Sequence, residues 1–357
     1  MLDGFIITRG NANLEGNVLN RGGGLFLEYS NLNVANCTFR GNRAFFLGGG
    51  IYCWQSSPRF ENVTFFRNQA IAGGGMFARQ SSPVLIGCKF LENTATLAAG
   101  GGYLEDDFFG VNSSTFIDCT FLWNRAPSPA GGGGAVITQN SHLTNCLFAF
   151  NSIDAINLTN GPTLTNCTIV RNLGDGIVLS SGANPTIVNS IIHGNFGLSY
   201  RGLGGILFEN SNVEGGWGGI GIGNIDQDPK FVNPWAEDFR LAIGSPAINA
   251  GGNVWIPPGI LYDLNGTPRI QDGIVDMGAY EGAFPGGIMM ASELDLDQGQ
   301  IVTLSPGGLL IDYTFDSLII IENLTGRDNV TVEVTQNNQP QPGAGGYDAL
   351  AESLKVV

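Results

Sequence analysis

Charge is scarce in this chain: 13% of its 357 residues are charged, and histidine occurs twice, at His142 and His193. Low charge beside 43% apolar residues excludes intrinsic disorder, whose signature is the reverse. The two histidines have no cysteine or histidine at metal-ligand spacing, which removes the usual zinc arrangements. No GxSxG phrase is present, so serine-hydrolase chemistry lacks its turn. Gly219-Ile-Gly-Ile-Gly223 has no βαβ unit around it and reads as a glycine-rich turn, not a phosphate loop. No apolar run approaches the roughly 18 residues that a membrane span needs. Basic residues are also outnumbered, and the net charge of −15 argues against nucleic acid as a partner. No signal peptide is evident: Met1 to Asn11 already reads as the end of a coil, so either a start is missing or this coil is covered by something else.

Glycine, by contrast, is abundant at 54 residues, and one phrase returns seven times, an apolar residue three or four places before an asparagine. The asparagines are Asn42, Asn68, Asn93, Asn124, Asn151, Asn172 and Asn195, spaced by 26, 25, 31, 27, 21 and 23 residues. Such a period belongs to one turn of a solenoid. Aligned on them, the positions eight, five and three earlier are apolar or cysteine, as in Phe60, Val63 and Phe65, with Ser190 the one exception, and point inward. The interval of three breaks strand alternation, so the chain bends there, at a column of Asn36, Asn62, Gly87, Asp118, Asn145, Asn166 and Asn189 suited to left-handed backbone.

A third strand starts after each glycine cluster, from Gly22-Gly-Gly-Leu25 to Gly131 through Gly134, with weaker forms at Asp154-Ala-Ile156, Gly176-Ile177 and Gly205-Ile206. Three strands per coil, each parallel to its counterpart above, give an all-β chain, a right-handed parallel β-helix. The asparagines are expected to pass hydrogen bonds from coil to coil, since an unmet buried polar group costs about 1–3 kcal/mol. Cys37, Cys88, Cys119, Cys146 and Cys167 share one inward column, where they pack as small free thiols; Cys53 lies in another strand.

After Asn195 the pattern loosens. A different text follows in Asp228-Pro-Lys-Phe, Asp238-Phe-Arg-Leu-Ala-Ile-Gly-Ser-Pro-Ala-Ile-Asn-Ala-Gly251 and Asp263-Leu-Asn-Gly-Thr-Pro-Arg269 through Val275-Asp-Met-Gly-Ala-Tyr-Glu281. It resembles the segment that closes many bacterial secreted right-handed β-helix proteins and often precedes a surface-anchoring region. The coils themselves resemble the FxxN and GG-type repeats of polymorphic outer-membrane protein adhesins, without their β-barrel. The resemblance implies an extracellular or cell-surface protein. The expected organisation is a β-helix over 1–225, a segment over 226–284 capping the open end of the stack, a small β module over 285–335, and a linker and tail over 336–357. Leu350 and Leu354 fit one face of a short helix in that tail.

Function has to be sought on residues the repeat turns outward. The column Arg40, Phe66, Leu91, Leu122, Ala149, Val170 and His193 is apolar for a solvent face. With Arg67, Trp123 and Phe150 it forms either an interaction surface or a seat for another part of the chain. The insertion containing Glu105, Asp106 and Asp107 is the one acidic group with any claim to calcium, and otherwise a solvated loop; no other cofactor is implied. Residues 40 to 89 carry six basic groups against Glu61, whereas 283 to 357 carry ten acids against Arg327 and Lys355. That asymmetry suits head-to-tail self-association, which would build filaments. The leading reading is a non-catalytic surface protein, adhesin-like or a self-assembling fibre subunit. The alternatives are a polysaccharide lyase or hydrolase, and a glycan-binding surface protein without turnover.

Overall fold

The computed structural model describes residues 1–13, 20–105, 113–126, 134–271 and 273–282, and the backbone of six strands beyond them. The chain divides into two compact units, 1–282 and 283–357.

The first unit is a parallel β-solenoid. One nine-stranded sheet runs from Leu2–Asp3 to Leu207–Glu209 and a second from Ile6–Thr8 to Asn212–Val213. A third sheet has eight strands, from Leu25–Glu28 to Tyr200–Gly202. A short fourth sheet, formed by Asn11–Ala12, Arg43–Ala44, Gln69–Ala72 and Thr94–Ala98, adds a strand to the early coils that the three-strand reading omits. The last third-sheet strand is Tyr200–Gly202, so the Gly205-Ile206 phrase does not start one; the next strand, Leu207–Glu209, pairs in the first sheet.

Register follows the columns. Phe39, Phe65, Phe90, Phe121 and Phe148 face one another across successive pairs, with centroid separations of 5.7, 4.4, 4.7 and 4.7 Å. Stacked pairs of this kind contribute about 0.5–1.5 kcal/mol each beyond burial. All six cysteines are buried and free, and burial pushes the thiols of Cys53, Cys88 and Cys146 up, away from the reactive thiolate. Each ladder asparagine presents its Oδ1 to the coil before it. Asn68 donates from both its backbone N–H and Nδ2 to Asn93 Oδ1, at 3.0 Å each, and Nδ2 also reaches the Phe39 carbonyl at 2.8 Å. The same relay links Asn42 to Asn68, Asn93 to Asn124, Asn124 to Asn151, Asn151 to Asn172 and Asn172 to Asn195. The bend column adopts left-handed backbone at every position from Asn36 (φ 50) to Asn189 (φ 48). Glycine is needed for coil-to-coil approach: a Cβ on Gly49 would lie 2.4 Å from the Gln69 carbonyl oxygen.

Outside the core, a second aromatic file stands on the third sheet. Phe26, Tyr52, Phe77 and Tyr103 stack at 5.3, 5.8 and 4.8 Å, and Tyr52 and Phe77 are buried among Leu47, Ala72, Ala98 and Ala99. Residues after the last coil turn back, and Trp217 packs edge-on against Tyr200 and Phe208.

The segment 226–282, expected as a cap on the open end of the stack, packs mainly along the outer face of the second sheet, with Gln227 also bonded to Asn212 of the last coil. Phe231–Asn233 and Asp238–Leu241 form an antiparallel pair, from which Phe239 packs on Leu147, Ala149, Phe150 and Val170. Leu241, Ala247 and Met277 pack on Ile191. Polar staples reinforce this: Asn145 Nδ2 donates to the Tyr262 carbonyl at 2.8 Å, Ala279 N to Thr168 Oγ1 at 2.9 Å and Gly252 N to Asn189 Oδ1 at 2.8 Å.

The motif phrases of this flank form a buried polar clasp. Asp263 accepts from the backbone of Asn265, Thr267 and Glu281, and Asp276 from that of Asn249 and Gly282. Arg269, 1% exposed, lies 3.4 Å from Glu281 and donates to the Gly278 carbonyl. Burial raises Glu281, Arg269 opposing and Asp276 adding, so that its pKa is pushed up to about 8. Asp276 is raised by burial as well.

The second unit contains two three-stranded sheets: Ile288–Met290, Leu309–Asp312 and Ile319–Glu322 in one, and Ile301–Leu304, Val330–Asn337 and Ala351–Val356 in the other. Ala351–Val356 is therefore a strand and not the expected helix. Its antiparallel register sets Leu354 against Val334 and Val356 against Val332, a period-two match that the i, i+4 leucine spacing conceals.

Candidate functional site

The second sheet turns two columns outward, one of Thr38, Thr64, Lys89, Thr120, Leu147, Thr168 and Ile191, the other of Arg40, Phe66, Leu91, Leu122, Ala149, Val170 and His193. The flank covers the later half: Leu147, Thr168, Ile191, Ala149 and Val170 are buried. The earlier half lies open, with Arg40 and Lys89 exposed and Phe66, Leu91 and Leu122 half-buried.

This division sorts the expected interaction residues. Arg40, Phe66, Arg67 and Leu91 share the open half, where Arg40 and Arg67 lie over the Phe66 ring at 5.5 and 4.7 Å from its centroid. Leu122 sits at the boundary, half-buried against the flank's apolar cluster. Phe150 is buried beneath Phe239 and belongs to the covered half. Trp123 stands on the rim, its ring stacked on Phe150 at 4.5 Å and its Nε1 donating to Glu237 Oε1 of the flank at 2.7 Å.

Charge on the open half is mostly positive. Of its nearby acids, Glu61 pairs with Arg59 at 2.5 Å and Glu92 with Arg67 at 2.8 Å, whereas Asp118, which lines one groove with Lys89, has no ion-pair partner among the described residues. Among the described residues no carboxylate lies within ion-pair distance of Arg40, Arg43, Lys89 or Arg125. Of the acidic insertion, Glu105 is committed to Arg79, while Asp106 and Asp107 lie outside the described residues; no group of three metal-ligating side chains occurs among those described. His142 Nδ1 shares a hydrogen bond with Thr163 Oγ1 at 2.7 Å.

Two grooves border the open half. One, of about 640 Å³, lies where the flank meets the stack and is lined by Asn62, Lys89, Asp118, Thr120, Tyr262, Asp263 and Tyr280 among others. Asp118 there accepts from Asn145 Nδ2 at 2.9 Å, and burial raises its carboxyl. The other, of about 540 Å³, follows the bend after the second sheet, between Arg67, Glu92 and Trp123 on one side and Gln69, Thr94 and Arg125 on the other. Lys89, Arg125 and the flank residues Glu237, Tyr262 and Asp263 were absent from the sequence-based candidates. Arg125 adjoins a ladder asparagine, and that adjacency was the one signal available.

The family profile described as right handed beta helix region matches residues 3–153 and 133–243. The chain belongs to that family. The match covers the solenoid of this β-helix and leaves out most of the flank and the second unit. Among solved structures the β-helix is similar to the crystal structure of pectate lyase Pel9A, with 16% identity, a TM-score of 0.46, and coverage of 78% of this chain and 87% of that one. That degree of likeness concerns coil architecture and not chemistry. No curated protein matches the sequence. No helix among the described residues is long and apolar enough to cross a membrane.

Proposed function

We propose that this β-helix is a non-catalytic extracellular or cell-surface binding protein, adhesin-like in role, which lays an extended acidic glycan along the open half of its second sheet. One observation carries the reading: in a chain of net charge −15, the open half keeps Arg40 and Lys89 without an ion-pair partner among the described residues, beside apolar and aromatic side chains, while Glu61 and Glu92 at its edges are tied to arginines. Complementary charge favours a polyanion, and Trp123 offers a ring face suited to a sugar.

Affinity electrophoresis in gels containing polygalacturonate, alginate or a neutral glycan tests it. The acidic polymers retard the protein, the neutral one does not, and incubation releases no unsaturated or reducing ends. Equal mobility in every gel contradicts binding, and released products establish turnover in its place.

Self-association is a second reading, carried by the ten acids in 283–357 and the basic residues of 40–89. A head-to-tail contact of that kind weakens with salt, so sedimentation at low and high ionic strength separates it from monomer behaviour.

A further inference from the structure

The bend beyond the second sheet is built three residues at a time. Arg67-Asn68-Gln69, Glu92-Asn93-Thr94 and Trp123-Asn124-Arg125 occupy equivalent places in successive coils. Each middle asparagine turns inward to the buried ladder, so its two neighbours turn out and diverge. Stacking the coils makes walls of them, Arg67, Glu92 and Trp123 facing Gln69, Thr94 and Arg125 across the 540 Å³ groove. With about 4.8 Å between coils, three coils give a trough roughly 10 Å long, the scale of one sugar ring with its substituents.

The trough has unlike ends. At one, Arg67 is neutralised by Glu92 at 2.8 Å. At the other stand Trp123 and Arg125. Trp123 shares the left-handed backbone of its column, as Arg67 and Glu92 do, and remains 41% exposed. Phe150 supports one face of its indole and Glu237 fixes its edge, which leaves the other face to the groove. Arg125 is exposed, and no described carboxylate pairs with it. Gln69 and Thr94 supply neutral hydrogen-bonding groups between the ends.

We infer that this groove is a subsite for a single uronic-acid residue, with the sugar's apolar face on Trp123 and its carboxylate on Arg125. Glu92 sets the direction: it repels a carboxylate placed at the Arg67 end, so the acid group points to Arg125. Glu237 acts as a positioning residue through the indole N–H. The inference rests on the acidic-glycan reading and locates it on one trough.

Calorimetric titration with short oligogalacturonates, and with the same oligomers after reduction of their carboxylates to neutral sugar, tests both levels. Wild type binds the acidic oligomer, Arg125→Gln loses roughly tenfold in affinity for it, and binding of the reduced oligomer is the same in both. Trp123→Phe weakens both ligands, and Glu237→Gln weakens both less. Lys230→Gln, an exposed position on the flank and not on the open half, changes acidic binding by less than about twofold. Thermal melts confirm that each variant is folded. If wild type binds and Arg125→Gln binds equally well, the subsite is wrong and the glycan reading survives. If wild type binds no acidic oligomer, the glycan reading itself fails and the subsite with it.

Discussion

The two halves of the second sheet are made on one template and meet different fates. Both use the same inward positions and the same asparagine relay, from Asn42 through Asn195. They differ in what faces out. Thr64, Phe66, Lys89, Leu91 and Thr120 remain open, whereas Leu147, Ala149, Val170 and Ile191 are smaller or wholly aliphatic and accept the flank's Phe239, Leu241 and Met277. The inward code therefore builds the rod, and the outward residues decide which stretch is covered and which stays open. A cover needs a flat apolar seat; an open face needs enough charge to stay solvated.

The comparison breaks most severely at the clasp. Arg269→Ala leaves Asp276 and Asp263 buried without their cation, at a cost of about 3–5 kcal/mol. Limited proteolysis should then cut within 226–282 and spare the coils. Cleavage of coils and flank together would show that the two do not separate.

Slightly smaller, and the same in both halves, is the effect of breaking the ladder. Asn93→Ala removes the acceptor of two Asn68 donors, and Asn151→Ala does so for Asn124. Each should lower stability by roughly 3 kcal/mol in urea denaturation. A much larger loss at Asn151 would mean that the relay itself depends on the cover.

Acidity sharpens the contrast by acting on the covered half. Glu281 has a folded pKa of about 8, raised from 4.5. Between those values the folded clasp holds a proton that the unfolded chain has released, so its stabilising contribution is complete below about pH 4.5 and disappears as pH rises through 8. Thermal melts from pH 5 to 9 should show wild type losing more stability than Glu281→Gln, by on the order of a few kcal/mol. Parallel curves would contradict the protonated clasp.

How much of this is legible in the sequence follows from how local each cause is. The ladder, the inward Phe and Cys columns and the left-handed bend column recur every coil, and a recurring constraint leaves a visible column. The outer file of Phe26, Tyr52, Phe77 and Tyr103 is less plain, because it gives way to Ile137 and Asn157 in the coils that follow. The position of the flank was legible only as one of two readings of the apolar outward column, because its particular contacts leave no local mark. Contacts such as Asn145 with Tyr262 and Thr168 with Ala279 join residues more than a hundred apart, and neither partner carries a mark of the other. Of the two readings of the apolar outward column, an interface or a seat for another part of the chain, the structure shows the seat beyond Leu122; the residues before it lie open. Asp263, Arg269, Asp276 and Glu281 stood out as motif residues, and their placement explains why: they are an internal clasp.

The central claim is that the open half of the second sheet is a polyanion-binding surface. Reversing its charge with Arg40→Glu and Lys89→Glu together, at exposed positions clear of core and clasp, tests it most directly in polygalacturonate affinity gels. The account predicts that the double variant melts as wild type does but is no longer retarded. Unchanged retardation of the folded variant would contradict it.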